Sequence, residues 1–194
     1  MRLNLQSLVL GYQQPVTPAI SWQMQAGEKW VITGPNGSGK SLLLKTLAGQ
    51  VSPAAGVYRW QPGTRWVYLA QEHPRPGLWP MSGRDWLQAM GVTSTQVPLV
   101  AHLLGKRLDQ LSGGQWQLLR LASVLGSGAD VVMLDEPTNH LDARVRAQSL
   151  ALLAEFKSEQ SLLMASHDED FIRASGANEL PMAELLKGEI CHAG

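Results

Sequence analysis

The chain has 194 residues, 16 basic side chains against 16 acidic ones, and only 16% charged residues, below the ~25% usual in soluble proteins. That length suits one domain with a sizeable core, and zero net charge gives no electrostatic case for a nonspecific grip on nucleic acid or anionic lipid. The single cysteine, Cys191, excludes a disulfide framework or zinc cluster, and no apolar run approaches the ~20 residues that span a bilayer, so the sequence reads as soluble and cytosolic.

In chain order, "RLNLQSLVL" alternates apolar and polar residues like a half-exposed strand. Asn4 and Gln6 interrupt it where a signal peptide would be continuously apolar. "KWVIT" is a short apolar run ending on "GPNGSGKS", and "SLLLKTLAG" behind it has helical spacing closed by Gly49. "TRWVYLAQ" reads as another strand. Pro74 to Pro80 form a proline-rich loop, and residues from about 82 to 108 read as short helices broken at Gly91 and Pro98. "ADVVMLDEP" and "SLLMASHD" are further apolar runs, each followed at once by acidic or histidine side chains. Apolar strands alternating with helices imply a parallel sheet covered on both faces. Ligands in such sheets sit beyond the carboxyl ends of the strands.

The loop Gly34, Pro35, Asn36, Gly37, Ser38, Gly39, Lys40, Ser41, Leu42 stands at one such end. Its glycines let successive N–H groups turn inward as a nest for a phosphate, and the helix that follows adds its positive end. Lys40, expected outside the core, can reach the β- and γ-phosphates, and the Ser41 hydroxyl can hold Mg²⁺. A plain turn would explain the glycines but not the lysine–hydroxyl pair. The pattern arises by chance in roughly one chain of this length in a hundred. "VVMLDEP" delivers Asp135, which can hold Mg²⁺, and Glu136, placed to polarise an attacking water.

"LSGGQ", Leu111 to Gln115, is more specific. Ser112 and Gln115 have capping-box spacing, so a helix starts here. Gly113 and Gly114 leave its first N–H groups open as a second anion site, which a cap alone does not require. Five fixed residues recur by chance in only a few chains per ten thousand, on the order of average usage.

The phosphate loop, "LSGGQ", "VVMLDEP" and "SHD", in that order, resemble the nucleotide-binding domain of ATP-binding cassette (ABC) proteins over nearly the whole chain. The resemblance implies an α/β, RecA-like P-loop NTPase core with a mostly parallel sheet and an N-terminal antiparallel β element. It implies one ABC ATPase domain over 1–194, with a small helical subdomain inserted at about 74–125. It implies ATP and Mg²⁺ as cofactors, and a second cassette, expected to be another copy of this chain, whose "LSGGQ" caps the ATP held here. By the same resemblance Gln71 senses Mg²⁺ and His167 contacts the γ-phosphate. Tyr12 stacks on adenine, and Asn139 to Asp142 cross the dimer interface. Trp79 and Trp86 stand where the family docks its membrane partner, and burial in the small subdomain is the other reading of the pair. Leu42 replaces a common second hydroxyl, and Leu118 and Ser123 replace usual arginines, with Arg120 nearby.

The expected function is the ATP-hydrolysing subunit of an ABC transporter. It would be cytoplasmic, peripheral on the inner membrane face and paired with transmembrane permease subunits, with no direct nucleic-acid contact. The other reading, suggested by "DEPTNHLD" with "SHDEDF", is a soluble ABC ATPase of the translation-factor type acting on ribosomes or nucleic acid.

Overall fold

A computed structural model describes residues 1–71, 80–92, 98–139, 141–156 and 159–187. Trp79, His140, Cys191 and most of the proline-rich loop lie outside the described residues.

Strands β1 (Leu3–Val9), β2 (Ile20–Met24) and β4 (Ala55–Trp60) form an antiparallel sheet in the order β2-β1-β4. The alternation that marked β1 is real but interrupted. Its register with both partners shifts around Ser7, which takes φ 46°.

The second sheet is parallel throughout. Its strands are β3 (Lys29–Thr33), β5 (Trp66–Leu69), β6 (Val131–Asp135), β7 (Ser161–Ala165) and β8 (Asn178–Pro181), in the order β5-β6-β7-β3-β8. All ten residues of β6 and β7 are buried, as the continuous apolar runs predicted. Because successive side chains point to opposite faces, each strand feeds two cores. Val132, Leu134, Leu162 and Met164 belong to one apolar cluster, and Val131, Met133, Leu163 and Ala165 to the other.

Covering the first face are α3 (Gly113–Leu125), α4 (Ala143–Ala154) and α5 (Glu169–Ser175), joined by α2 (Gly83–Ala89) and two 3₁₀ turns at Pro98–Leu103 and Leu108–Gln110. The other face is covered by α1 (Lys40–Leu47), the antiparallel sheet and α6 (Met182–Lys187). Each fully buried leucine in these layers contributes about 1.5–3 kcal/mol relative to exposure. The expected α/β core, parallel sheet and N-terminal antiparallel element are all present. The short helices expected between 82 and 108 are α2 and the 3₁₀ turns.

Trp86 on α2 packs edge-on against Trp116 on α3, with ring centroids 4.9 Å apart at 67°. It is half-buried against the first core. The ring therefore spends much of its surface inside the fold, as its reading as a packed residue of the small subdomain requires.

Candidate active site

Because all five strands run the same way, their following loops emerge at one edge. Four of those loops carry residues that the sequence marked.

The loop after β3 is exposed from Gly34 to Gly37. Gly34, Gly37 and Gly39 take φ of 142°, 78° and 100°. Gly39 caps α1 in the left-handed region, where a side chain would be strained. A Cβ there would also stand 3.2 Å from Met182 Cε and 3.6 Å from Thr17 Cγ2. Lys40 departs from expectation: it is buried, 7% exposed. Its stem lies inward, and its ammonium donates to the Gly34 and Pro35 carbonyls at 2.8 and 3.0 Å. Those carbonyls replace water as the cation's solvation. Leu42 turns into the core, so the missing second hydroxyl is exchanged for packing.

Asp135, 1% exposed, closes β6. Ser41 Oγ donates to its Oδ1 at 2.8 Å, and the Tyr68 hydroxyl donates to its Oδ2 at 3.0 Å. Tyr68 was not singled out from sequence, although register could have found it. It pairs with Met133, and Asp135 lies two residues further along the same face. Burial, then the Asp135 charge and hydrogen bond, push the phenol's ionisation far up, so the hydroxyl stays a donor.

Arg120, named from sequence only as a nearby arginine, has a structural role that the sequence did not assign. It is 4% exposed, donating from Nη1 to Gln117 Oε1 (2.8 Å) and from Nη2 to the Ala70 carbonyl (3.0 Å). Burial lowers it to about 10, which still leaves it cationic at neutral pH. Gln117 Nε2 in turn donates to the Pro137 carbonyl at 3.1 Å. Helix α3 is thus tied to the chain just before Gln71 and just after Glu136.

Glu136 is buried and takes φ 46°. Its N–H donates to the Ala165 carbonyl at 2.9 Å, extending the β6–β7 ladder by one residue. Its Oε2 lies 2.9 Å from Nδ1 of His167, whose side chain is 66% exposed. Asp168, next to His167, caps α5 by accepting from the Phe171 N–H at 3.1 Å. Arg146 on α4 grips it from two nitrogens, Nε at 2.7 Å and Nη2 at 2.5 Å. Hydrogen bonding from Arg146 is the main reason the Asp168 carboxyl drops to about 2.

The Asn139 N–H donates to the Glu136 carbonyl at 3.2 Å, and Asp142 caps α4 through Val145 N–H at 2.9 Å. Gln71 is exposed at the end of its strand loop. Tyr12, 68% exposed, sits in the β1–β2 loop. Leu10 and Thr17 of that loop border Gly39.

Ser112 and Gln115 form the expected capping box: Gln115 N–H to Ser112 Oγ at 3.2 Å, Ser112 N–H to Gln115 Oε1 at 3.1 Å. Gly114 has a packing reason that the sequence did not reveal. A Cβ on it would stand 3.0 Å from Val145 Cγ2. Among the described residues no hydrogen bond links Ser112–Gln115 to the loop at 34–42.

The family described as ABC transporter matches residues 18–139. A zinc import ATP-binding protein, ZnuC of Paracoccus denitrificans, is 34% identical over 193 residues, covering 95% of this chain and 74% of its own. YfmM of Bacillus subtilis, called an uncharacterized ABC transporter ATP-binding protein, is 31% identical over 84% of this chain. The chain spans only 33% of that relative's length. Among solved structures, an ATP-binding protein of Pyrococcus furiosus assigned to an ABC transporter superposes with a TM-score of 0.75 at 25% identity, covering 95% and 98% of the two chains. Fold and sequence together define an ATP-binding cassette. This chain belongs to the ABC transporter family. Among the described residues no helix is long and apolar enough to cross a membrane.

Proposed function

We propose that this chain binds Mg-ATP at the carboxyl edge of its parallel sheet, hydrolyses it, and does so as the ATP-binding subunit of a transporter. One observation carries the reading. Three separate strand ends bring Lys40 and Ser41, Asp135 with Glu136, and His167 to one edge, where Ser41 meets Asp135 at 2.8 Å and Glu136 meets His167 at 2.9 Å.

The residues suit the two absent groups. Ser38 Oγ is buried with no hydrogen-bond partner among the described residues, a hydroxyl free to serve a phosphate in the loop. Ser41 and Asp135 offer adjacent hard oxygens, the donor type Mg²⁺ takes alongside phosphate. Mg²⁺ held by Ser41 and Asp135 would supply positive charge against the charge developing on the phosphate. Gly34 and Asn36 to Leu42 cradle the phosphates with their N–H groups, Pro35 having none to give, and Lys40 exchanges its loop carbonyls for them. Glu136 accepts the proton of the attacking water, and His167 holds that carboxylate in place while facing solvent. Gln71, exposed at its strand end, supplies a further oxygen to the metal side, and Tyr12 gives the base a stacking face. Ser112 to Gln115 act on the nucleotide of a second cassette, because among the described residues they make no hydrogen bond to the loop at 34–42. Two copies closing head to tail satisfy both ends. Transmembrane permease subunits supply the path for cargo, with the helical subdomain at about 74–125 meeting them and the chain on the inner membrane face.

Phosphate release decides the enzymatic part. The purified chain is expected to hydrolyse Mg-ATP, while Glu136→Gln keeps binding, loses turnover and accumulates as a dimer in light scattering. A variant that turns over normally removes Glu136 as base. Co-sedimentation of the chain with ribosomes instead of membranes would favour the translation-type reading.

A further inference from the structure

The reaction just proposed leaves Tyr68 without a part, although its hydroxyl is spent on the most deeply buried carboxylate of the site. Asp135 has two oxygens and two partners. Ser41 donates to Oδ1 at 2.8 Å and Tyr68 to Oδ2 at 3.0 Å. The two donors are not equivalent. Ser41 opens α1 beside the phosphate loop, and its hydroxyl oxygen is one of the hard donors assigned to the metal. A lone pair of that oxygen can bind the metal while its O–H still donates to Asp135, but the direction of the hydroxyl is then set by the metal as well as by the carboxylate. Tyr68 has no such second duty. It lies on β5, hydrogen-bonded to β6 along its length, with its ring against the core cluster under the sheet. Its backbone is braced from the other side by Arg120, which donates to the Ala70 carbonyl two residues on.

We infer that Tyr68 is a positioning residue for Mg²⁺. Its hydroxyl fixes Asp135 through Oδ2, so that Oδ1 stays aimed at the metal side whatever Ser41 does. Outer-shell partners of this kind typically tune metal affinity by 10–100-fold. The inference rests on the proposed Mg-ATP site, and its test is chosen to separate the two.

The test titrates Mg²⁺ against binding of a fluorescent ATP analogue, with parallel titrations of the analogue in EDTA, on the wild type and Tyr68→Phe. The phenyl ring keeps the packing and removes only the donor. The expected result is unchanged nucleotide affinity in EDTA and a Mg²⁺ requirement raised about tenfold. Tyr68→Met, which also lacks the hydroxyl but adapts its shape to the gap, is expected to do the same and carries the test if the phenylalanine variant does not fold. A merely structural role would lower affinity equally with and without Mg²⁺. That result, or an unchanged Mg²⁺ requirement, overturns the inference. A wild type whose nucleotide binding ignores Mg²⁺ overturns the parent reading instead.

Discussion

Glu136 sits at φ 46°, a region that costs a residue with a side chain roughly 1–3 kcal/mol. The cost is held by the bond from its N–H to Ala165 and by the approach of His167 to its carboxylate. Lys40 is the opposite case, a buried cation whose neighbours are loop carbonyls. Lys40→Met fills the same space without donating, and the Gly34 and Pro35 carbonyls, being exposed, can turn to water. The fold should survive while nucleotide affinity falls about 10–100-fold, taking ~1.5–3 kcal/mol for a charged hydrogen bond. Calorimetric titration beside a melting curve checks both, and unchanged affinity removes Lys40 from the site. Arg146 and Asp168 give a pH signature. The Asp168 carboxyl falls from 3.8 unfolded to about 2 folded, so its contribution is complete above about 3.8 and disappears as pH falls toward 2. The stability gap between wild type and Arg146→Gln should be flat above pH 4 and close toward pH 2. A gap unchanged across that range detaches the pair from stability.

At the scale of elements, what could be read from sequence was what local chemistry fixes. The run "KWVIT" matches β3 from end to end, and the spacing of Ser112 and Gln115 gave α3 its start and its cap. Residues whose roles depend on a neighbouring element were invisible. Tyr68 acts across the β5–β6 register, and Arg120 acts through the end of β5. Arg146 acts across two helices. None belongs to a local pattern. Gly114 shows the same limit from the other side. Its motif suggested an anion site, yet α4 also crowds the position, since a Cβ would meet Val145 Cγ2 at 3.0 Å. Gly114→Ala should therefore cost roughly 1–3 kcal/mol by overpacking. Adding Val145→Ala should recover part of that loss, because the double variant removes the clash. Denaturant midpoints of the single and double variants decide it. Strict additivity would show that α4 does not press on this glycine.

At the scale of the whole molecule, the question is which surface meets the membrane partner, and Trp86 is the residue for which the sequence left docking face and core both open. The sequence left two readings for it, a docking face after Gln71 and burial in the small subdomain. In the fold its ring stands edge-on to Trp116, and its indole N–H is buried with no acceptor among the described residues. An aromatic pair of this geometry is worth about 0.5–1.5 kcal/mol beyond burial, and truncating a half-buried tryptophan removes more, roughly 2 kcal/mol in all. Trp86→Ala should thus lower thermal stability and, with it, association with native membranes. Trp86→Phe separates the two effects: it keeps an aromatic ring against Trp116 while removing the pyrrole part of the indole with its N–H, so stability should fall less than in Trp86→Ala and membrane association should stay near wild type. Fractionation of cell membranes beside a melting curve reads both variants. Should Trp86→Phe melt normally yet leave the membrane fraction, the indole itself touches the partner, and the docking role expected from the sequence returns to this residue.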